Sequence, residues 1–282
     1  MRAPHVTEIH IYPVKSLRGE AQRSAAVHPW GLAGDRRWLV TDPGGAMFTQ
    51  REIIFMALLQ ARPLGAAGSN AIALMAPRQA PLHLLPPAAT APTRHVTIWR
   101  DTVPALDAGD DAAAWLTAAL GAPCRLAYLA DPHARPINPA YAENGETVNF
   151  ADGYPLLVTT VASLADLNVR LAAPITMSRF RPNLVIEGPG AWEEDTWHRI
   201  RIGAARFRVA KPCDRCIIPS IDPETATRPN PVEPIRTLGT FRRDQRGGVM
   251  FGQNLIPETC AEIHVGDTVE IIESGAPNVQ LC

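Results

Sequence analysis

Two cysteines separated by two residues form the most reactive pair of side chains in this sequence. Cys213 and Cys216 stand in the segment RFRVAKPCDRCIIPSIDPE, residues 206–224. Lys211 precedes the pair and Arg215 lies within it, and neighbouring positive charge favours the thiolate, the form that binds a metal or attacks an electrophile. The segment therefore predicts a metal ligand or a nucleophile on a loop at the end of a strand.

Several interpretations of this thiol pair compete on the sequence alone. A zinc site is incomplete, because one CxxC supplies two ligands and the chain has no second CxxC and no HxxxH. A thioredoxin-like redox pair requires a helix after the second thiol, and Pro219 follows Cys216 too closely for one. The two thiols can also be small apolar residues of a turn. A single thiolate that binds a soft metal, with loop amides around it, remains open.

Positively charged residues gather in four further segments. YPVKS contains Lys15 and Ser16, an ammonium and a hydroxyl that can bind a phosphate together with backbone amides. GDRRW contains Arg36, and RFRPN contains Arg181 at the expected start of a strand. A run of four arginines over residues 236–246 is typical of a solvated face. Each segment alone is a weak indication of an anion site.

Short strands must position most of these residues. Runs of apolar and β-branched residues, bounded by Gly and Pro, predict strands along the whole chain, and the first third is typical of a small barrel or sandwich. The strand before the thiol pair is expected to end at Ala210, because Pro212 cannot donate a ladder hydrogen bond. A turn is predicted at residues 42–45 and a hairpin through Gly203. The predicted strands are residues 6–14, 36–41, 71–75, 94–99, 156–160, 181–188, 198–203, 205–210 and 267–272.

Two helices interrupt the strands. Residues 110–120, DDAAAWLTAAL, predict an α-helix that Asp107 or Asp110 caps. A shorter helix is predicted over residues 164–171, with Ser163 as its N-cap. The coarse prediction is a β-rich α+β chain with a few short helices. A long polar and proline-rich loop between the two helices is typical of a domain boundary or of a segment that lines a site.

Composition limits the partners and the compartment. The chain has 282 residues with 27 basic and 28 acidic side chains, so a generic nucleic-acid or anionic-membrane binder is excluded. Only Lys15 and Lys211 among the basic residues are lysines. Five cysteines are too few for a disulfide framework, and neither a secretory signal nor an 18-residue apolar run is present. A cytoplasmic protein with reduced thiols is expected.

Six motifs in order resemble the two-domain MOSC family, which includes the amidoxime-reducing components. They are YPVKS, GDRRW, ADGYPLL with ASLADLN, FRPNLVI, PCDRC with a downstream DP, and FGQN, and the resemblance extends over about residues 5–275. It implies an N-terminal β-barrel-like domain, residues 4–122, packed on a MOSC β-barrel domain, residues 123–275. A molybdenum–molybdopterin cofactor, whose pterin tail ends in a phosphate, is then expected between the two domains.

The resemblance also implies roles for individual residues. Cys216 would ligate molybdenum, Cys213 would lie beside it, and Asp152 would lie near the metal and help to deliver protons. The loop N–H groups around Asp214 and Arg215 would bind the pterin or the oxo groups. The remaining implied cofactor contacts are Lys15, Ser16, Arg36, Arg181, Asn183 and Asn254.

The implied reaction removes oxygen from nitrogen in a small molecule. R–NH–OH, two electrons and two protons give R–NH₂ and water, while molybdenum cycles between Mo(IV) and Mo(VI). Only Cys260 and Cys282 follow the thiol motif, too few for an iron–sulfur domain, so electrons are expected from a separate flavin, iron–sulfur or cytochrome protein. Neither nucleic acid nor a membrane is an expected partner. The alternative is a cofactor carrier or sulfur-transfer module that uses a Cys216 persulfide.

Overall fold

A computed structural model of the chain describes residues 3–65, 68–143 and 145–281. The elements in these ranges confirm the predicted β-rich α+β class, and no helix in them is long and apolar enough to cross a membrane. The strands are β1 (His5–Ile11), β2 (Glu20–Gln22), β3 (Ser24–His28), β4 (Gly31–Leu32), β5 (Trp38–Thr41), β6 (Gln60–Leu64), β7 (Ala71–Ala76), β8 (Gln79–Leu84), β9 (Thr93–Ile98), β10 (Asp101–Asp107), β11 (Arg125–Tyr128), β12 (Leu156–Thr160), β13 (Leu184–Glu187), β14 (Trp197–Ile202), β15 (Ala205–Asp214), β16 (Met250–Thr259), β17 (Glu262–His264) and β18 (Val269–Ser274). The α-helices are α1 (Asp110–Leu120), α2 (Val161–Arg170) and α3 (Ile235–Leu238), and 3-10 helices span Ile54–Leu58, Met177–Phe180, Glu193–Thr196 and Ile218–Ser220.

An eight-stranded sheet forms the larger part of the fold. Its order is β18-β14-β15-β16-β12-β13-β1-β2, and only β12 and β13 run parallel within it. In β1, Val6, Ile9 and Ile11 are all buried although they do not follow one alternation, because the register shifts between Val6 and Glu8. They pack with Trp197 and other side chains of the central strands into one core. Each large side chain buried there contributes roughly 1.5–3 kcal/mol.

Smaller sheets surround a second core in the N-terminal part of the chain. One sheet has the order β5-β11-β10-β9 and another β6-β7-β8, whereas a third sheet of β17, β3 and β4 packs on the core of the eight-stranded sheet. The second core contains Trp38 of β5, Leu74 of β7, Leu116 of α1 and Leu126 of β11. The turn predicted at residues 42–45 is confirmed by the hydrogen bond from the Gly45 N–H to the Asp42 carbonyl, 3.1 Å long.

Both predicted helices exist, but their N-terminal caps differ from the prediction. Gly109 occupies the N-cap of α1 and no side chain caps that helix, because Asp107 pairs with Arg125 instead. The predicted N-cap Ser163 is wrong. The N-cap of α2 is Thr160, the last residue of β12, and its hydroxyl accepts the Ser163 N–H at 3.2 Å.

The strand that leads to the thiol pair is longer than predicted. The expected end at Ala210 is wrong, because β15 continues against β16 as far as Asp214. The register shifts between Val209 and Lys211 and again after Pro212, and these irregularities accommodate a residue that lacks an N–H. The two thiols therefore lie in different local structures, the first within a strand and the second on the loop beyond it.

Strand pairing crosses the domain boundary expected between residues 122 and 123. β1 belongs to the eight-stranded sheet, where it pairs with β13, and β11 pairs with β5 and β10 of the N-terminal sheet. The division into residues 4–122 and 123–275 therefore stays a prediction, and the sheets themselves interleave the two halves. One consequence is that the loop after β1 reaches the edge of the larger sheet.

A buried carboxyl group lies beneath the N-terminus of α2. Glu194 is fully buried and accepts hydrogen bonds from the Thr160 hydroxyl at 3.0 Å and the Ser163 hydroxyl at 2.9 Å. Burial raises the pKa of Glu194 from 4.5 to about 7. Between these two values the folded protein keeps a proton that the unfolded chain has released. The stability from this group is therefore fully present below pH 4.5 and is lost as the pH rises to about 7.

Replacing Glu194 by glutamine is expected to flatten the pH dependence of stability. The amide keeps the shape of the protonated carboxyl but does not titrate. The free energy of unfolding of the variant minus that of wild type should therefore be roughly 3 kcal/mol larger at pH 8 than at pH 4. Urea unfolding at both pH values measures the difference. The matched control is Glu193→Gln, because Glu193 is the exposed neighbour. Parallel pH profiles for wild type and Glu194→Gln would contradict the prediction.

Candidate functional site

One cleft at the ends of interior strands of the eight-stranded sheet brings all ten candidate residues together. It contains about 810 Å³ of open space, its mouth included. The chain reaches it from the turns after β1 and before β5, from the loops before β12 and β13, and from β15, β16 and the loop beyond β15. The lining includes Lys15, Ser16, Arg36, Asp152, Arg181, Asn183, Asp214, Arg215, Cys216 and Asn254.

Left-handed backbone conformations concentrate at this cleft. Ser16 (φ 67°), Arg36 (φ 47°), Trp99 (φ 56°) and Arg181 (φ 55°) all line it. They are half of the eight non-glycine residues with positive φ in the described part of the chain. Each such conformation costs on the order of 1–3 kcal/mol and persists where the surrounding structure imposes it, which is typical of functional sites.

Two guanidinium groups of the cleft stack on a buried phenol. Arg36 and Arg181 each lie 4.3 Å from the ring centroid of Tyr12, whose hydroxyl donates to the Pro182 carbonyl at 3.0 Å. Burial raises the pKa of Tyr12 to about 12, so the ring between the two cations stays neutral. Burial also lowers the pKa of Arg181 to about 10. The stack holds two positive charges at one cleft, an arrangement suited to an anion such as a phosphate.

A buried carboxylate fixes the first of these guanidinium groups. Asp35 accepts the Tyr12 N–H at 2.8 Å with one oxygen and the Arg36 guanidinium at 2.5 Å with the other. Asn183 also accepts from Arg36, at 2.9 Å, and accepts the Leu157 N–H at 3.1 Å. Its amide nitrogen donates to the carbonyl of a β1 residue. The amide of Asn183 therefore positions Arg36, and its direct contact with a cofactor stays a prediction.

A lysine–aspartate pair lies at the side of the cleft. The Lys15 ammonium donates to Asp152 Oδ1 at 2.5 Å, and the lysine is buried while the carboxylate is largely exposed to the cleft. Desolvation by the cleft walls acts to raise the pKa of Asp152. The Lys15 charge outweighs this effect and holds that pKa well below its ordinary value. Burial lowers the pKa of Lys15, against the attraction of the carboxylate. The proton of the pair therefore resides on Lys15 Nζ, and the expected part of Asp152 in proton delivery stays a prediction.

The two thiols have different surroundings. Arg215 donates to Cys213 Sγ at 3.0 Å and to the Phe180 carbonyl at 2.8 Å. Burial raises the pKa of the Cys213 thiol, although the Arg215 charge opposes the rise. Cys216 accepts the Ile218 N–H at 3.5 Å, at the start of a 3-10 helix. Cys216 is the thiol on the loop. The helix directly after it is a 3-10 helix and not an α-helix, so a thioredoxin-like pair is excluded.

The backbone beside the thiols is less available than the sequence suggested. The Arg215 N–H already donates to the Val249 carbonyl at 2.8 Å, and the expected cofactor contacts of the loop around Asp214 and Arg215 stay a prediction. The Asp214 carboxylate accepts the Val249 N–H at 3.1 Å and so anchors the neighbouring turn. Asn254 donates from its amide to the carbonyls of Lys211 and Pro212, both at 3.3 Å. Asn254 therefore supports the irregular end of β15.

The second lysine lies outside the cleft. Lys211 is absent from the cleft lining and instead places its ammonium 5.3 Å from the ring centroid of Tyr141. Of the two lysines only Lys15 contributes to the site. The predicted solvated face over residues 236–246 is only partly correct, because Arg242 is buried and pairs with Asp195 at 2.6 Å.

The charges and ligands of the cleft fit an anionic cofactor that carries its own metal ligands. Four cations line the cleft against two carboxylates, and the buried Arg215 Nε has no hydrogen-bond partner. Over the described ranges, no group of three or more His, Cys, Asp or Glu side chains is placed to hold a metal ion. A metal bound at Cys216 must therefore bring further ligands with it, as a pterin dithiolene does, and a zinc site built by these residues alone is excluded.

Three residues of the site were not assigned from the sequence. Tyr12 and Asp35 stood inside quoted motifs, but nothing in a strand pattern shows that a phenol stacks between two arginines or that a carboxylate is buried beneath one. Trp99 was included in a predicted strand, whereas it lies in the turn between β9 and β10. A tryptophan beside a turn was the available indication.

Comparisons with known proteins agree with the fold. Residues 3–123 match the family described as MOSC N-terminal beta barrel domain, and residues 145–270 match the MOSC domain. Mitochondrial amidoxime-reducing component 1 of Mus musculus is 33% identical over 285 residues, 95% of this chain and 82% of that protein. The same component of Homo sapiens is 32% identical over 286 residues, with the same coverage. Molybdenum cofactor sulfurase of Oryza sativa subsp. japonica is 29% identical over 88% of this chain, which spans 32% of that larger protein.

Proposed function

The chain belongs to the two-domain MOSC family, and on that premise we propose that it is a molybdenum-cofactor-dependent reductase that removes oxygen from N-hydroxylated compounds. Its substrates are N-hydroxylated bases, amidoximes and hydroxylamines. The observation that carries the proposal is the convergence, in one cleft, of the loop thiol Cys216 with the stacked guanidinium groups of Arg36 and Arg181.

The cleft residues divide into those that hold the cofactor and those that support them. Arg36, Arg181 and Lys15 bind its anionic part, and Ser16 adds a hydroxyl donor. Cys216 supplies the protein's thiolate ligand to molybdenum. The bound cofactor supplies the two-electron chemistry that takes the oxygen atom from nitrogen.

Proton delivery falls to the lysine–aspartate pair. The net reaction consumes two protons and two electrons for each N–O bond reduced and releases one water molecule. Lys15 Nζ holds a proton in a buried position where desolvation lowers its pKa, so it releases that proton more readily than an exposed lysine does. Asp152 fixes the ammonium at 2.5 Å, and after transfer its unpaired negative charge favours reprotonation of the lysine from solvent. Electrons come from a separate redox protein.

The direct test is metal analysis and turnover on purified protein. Protein produced with cofactor supply should contain about one molybdenum per chain and should reduce hydroxylaminopurine with a chemical electron donor. A methyl sulfoxide under the same conditions should react at least about tenfold more slowly if the site selects N–O over S–O bonds. Metal-free protein that reduces the hydroxylamine equally well would overturn the proposal.

Substitution of the cleft lysine tests the anion site. Lys15→Arg is expected to lower molybdenum and pterin occupancy roughly fivefold, because a planar fork does not fit a buried position that a compact ammonium fills. Cofactor content of the purified protein is the measurement. Lys211→Arg is the matched control, since it changes the other lysine in the same way outside the cleft. Full occupancy in Lys15→Arg would show that the position requires only a positive charge.

A second candidate function follows from the similarity to the molybdenum cofactor sulfurase. In that case Cys216 carries a persulfide and passes sulfur to a cofactor that the protein does not use for turnover. Intact-protein mass spectrometry separates the two functions. A 32 Da adduct on Cys216, roughly the mass of one sulfur atom, would favour the transfer module if every electron donor failed to support reduction.

A further inference from the structure

Trp99 stands in the cleft with a strained backbone conformation and with a large apolar side chain exposed to solvent. It is the first residue of a two-residue turn, because Ile98 of β9 pairs with Asp101 of β10. Its φ of 56° lies in the left-handed region, where Gly, Asn or Asp normally stands in such turns and where a bulky residue is an outlier. The side chain is 41% exposed, and Trp99 alone of the six tryptophans is exposed.

The indole of Trp99 already has a planar cation, the Arg51 guanidinium, against its ring. The Arg51 guanidinium lies 4.5 Å from the ring centroid and the Lys15 ammonium 6.0 Å from it. The ring N–H donates to Asp152 Oδ1 at 3.3 Å. Asp152 Oδ2 has no hydrogen-bond partner in the described part of the chain, and the carboxylate is 68% exposed. An indole that is 41% exposed and an available carboxylate oxygen therefore stand side by side at the cleft.

The occupant of this ring shows which chemistry it accepts. A guanidinium is planar, delocalised and edged with N–H donors, and it binds the face of tryptophan through cation–π and stacking interactions. An amidine has the same planar CN₂ unit, and its N-hydroxylated form keeps that plane. Arg51 is thus an internal counterpart of the flat head of such a molecule.

We propose that Trp99 is a specificity-determining residue of this cleft, which recognises planar N-hydroxylated amidines, guanidines and aromatic bases by stacking on its indole while Asp152 Oδ2 accepts an N–H of the same group. The inference rests on the proposed function for its substrates, but not for the binding itself. Small non-planar hydroxylamines gain nothing from the ring, so the preference for flat substrates is the property that Trp99 confers.

A structural role for Trp99 makes the opposite prediction about stability. If the residue served folding, Trp99→Gly would lower the melting temperature, because packing would be lost. If it serves binding, Trp99→Gly removes the strain of a left-handed tryptophan and leaves the melting temperature unchanged or higher. Thermal unfolding of the full chain decides between the two, and a drop of more than about 3 °C, roughly 1 kcal/mol for a chain of this size, would contradict the proposal.

The binding test uses benzamidine as the probe and does not depend on turnover. Calorimetric titration of the cofactor-loaded chain should give a dissociation constant about tenfold weaker for Trp99→Ala than for wild type, and Trp99→Phe should recover most of the loss. Trp30→Ala is the matched control, because it removes another loop tryptophan that does not line the cleft. Equal affinity in wild type and Trp99→Ala would overturn the proposal. A lowered molybdenum content in Trp99→Ala would do the same, since it would place the ring against the cofactor.

The kinetic test separates this inference from the proposed function. With a chemical electron donor, Trp99→Ala should lose about tenfold more in kcat/KM for benzamidoxime than for N-methylhydroxylamine, with the difference mainly in KM. Equal losses on both substrates would overturn the specificity role while leaving the reductase intact. If wild type reduces neither substrate, the proposed function fails, and the benzamidine titration still decides whether Trp99 binds flat cations.

Discussion

Replacing Cys216 by serine is expected to abolish reduction of N-hydroxylated compounds, by roughly a thousandfold or more in kcat, while most of the cofactor stays bound. A serine oxygen is a hard donor that does not replace a soft thiolate at a metal already held by sulfur. On the proposed function, the cofactor should be retained because Lys15, Arg36 and Arg181 would bind its anionic part independently of the thiol. Steady-state turnover and metal content of the same preparation are the two measurements.

Two other cysteines provide the controls for this result. Cys213→Ser changes the neighbouring thiol, which lies within β15 and pairs with Arg215, and should keep at least about a tenth of the activity. Cys260→Ser changes an exposed thiol outside the cleft lining and should keep the wild-type turnover and metal content. Activity in Cys216→Ser within a factor of ten of wild type would remove Cys216 from the metal site. A loss confined to Cys213→Ser would assign the ligand to the other thiol.

Removal of the Asp35 carboxylate is expected to have the largest effect on stability among the cleft substitutions. Asp35 is 1% exposed, and it satisfies both the Tyr12 N–H and the Arg36 guanidinium. Asp35→Ala leaves the buried Tyr12 N–H without its acceptor and the Arg36 guanidinium without its counter-charge, which costs about 3–5 kcal/mol of unfolding free energy. Arg36 is then free to leave the Tyr12 stack, so cofactor occupancy should fall as well.

Urea unfolding and cofactor content check the Asp35 prediction. Asp35→Asn keeps an acceptor for the Tyr12 N–H but loses the charge, so it should lie between wild type and Asp35→Ala. Glu224→Ala is the matched control, because Glu224 pairs with Arg18 at 2.7 Å in a solvent-exposed position and such pairs contribute less than about 1 kcal/mol. If the unfolding free energies of Asp35→Ala and Glu224→Ala differ by less than about 1 kcal/mol, the Asp35 contacts contribute no more than an exposed ion pair does, which would contradict the prediction.

The two substitutions differ in how far the sequence predicted them. The motif PCDRC with its flanking cations singled out Cys216, and the resemblance assigned it to the metal. Asp35 stood in GDRRW without a role, because its importance comes from burial and from contacts with residues that are close only in the folded chain. A motif shows which residues recur together, whereas the cost of an unpaired buried charge depends on the surrounding packing.

Local structure followed the sequence wherever one element decided it. The period of DDAAAWLTAAL placed α1, and the Gly203 turn placed the hairpin of β14 and β15. Errors arose where a neighbouring strand overrode a local rule. Pro212 was expected to end β15, but β16 pairs with the chain on both sides of it through register shifts. Thr160 capped α2 in place of Ser163, because β12 ends at the residue whose hydroxyl faces the first turn.

The sequence by itself determined the family, the β-rich α+β class, the thiol segment and the set of cations gathered in the cleft. These properties belong to residue types at fixed spacings, and spacing survives without coordinates. Only the tertiary structure decided that the proton of the lysine–aspartate pair resides on Lys15, that Asn183 positions Arg36, and that Trp99 stands at the cleft. Each of these depends on burial, on a distance across the chain or on a backbone angle, quantities that the packing of distant segments sets and that no local pattern contains.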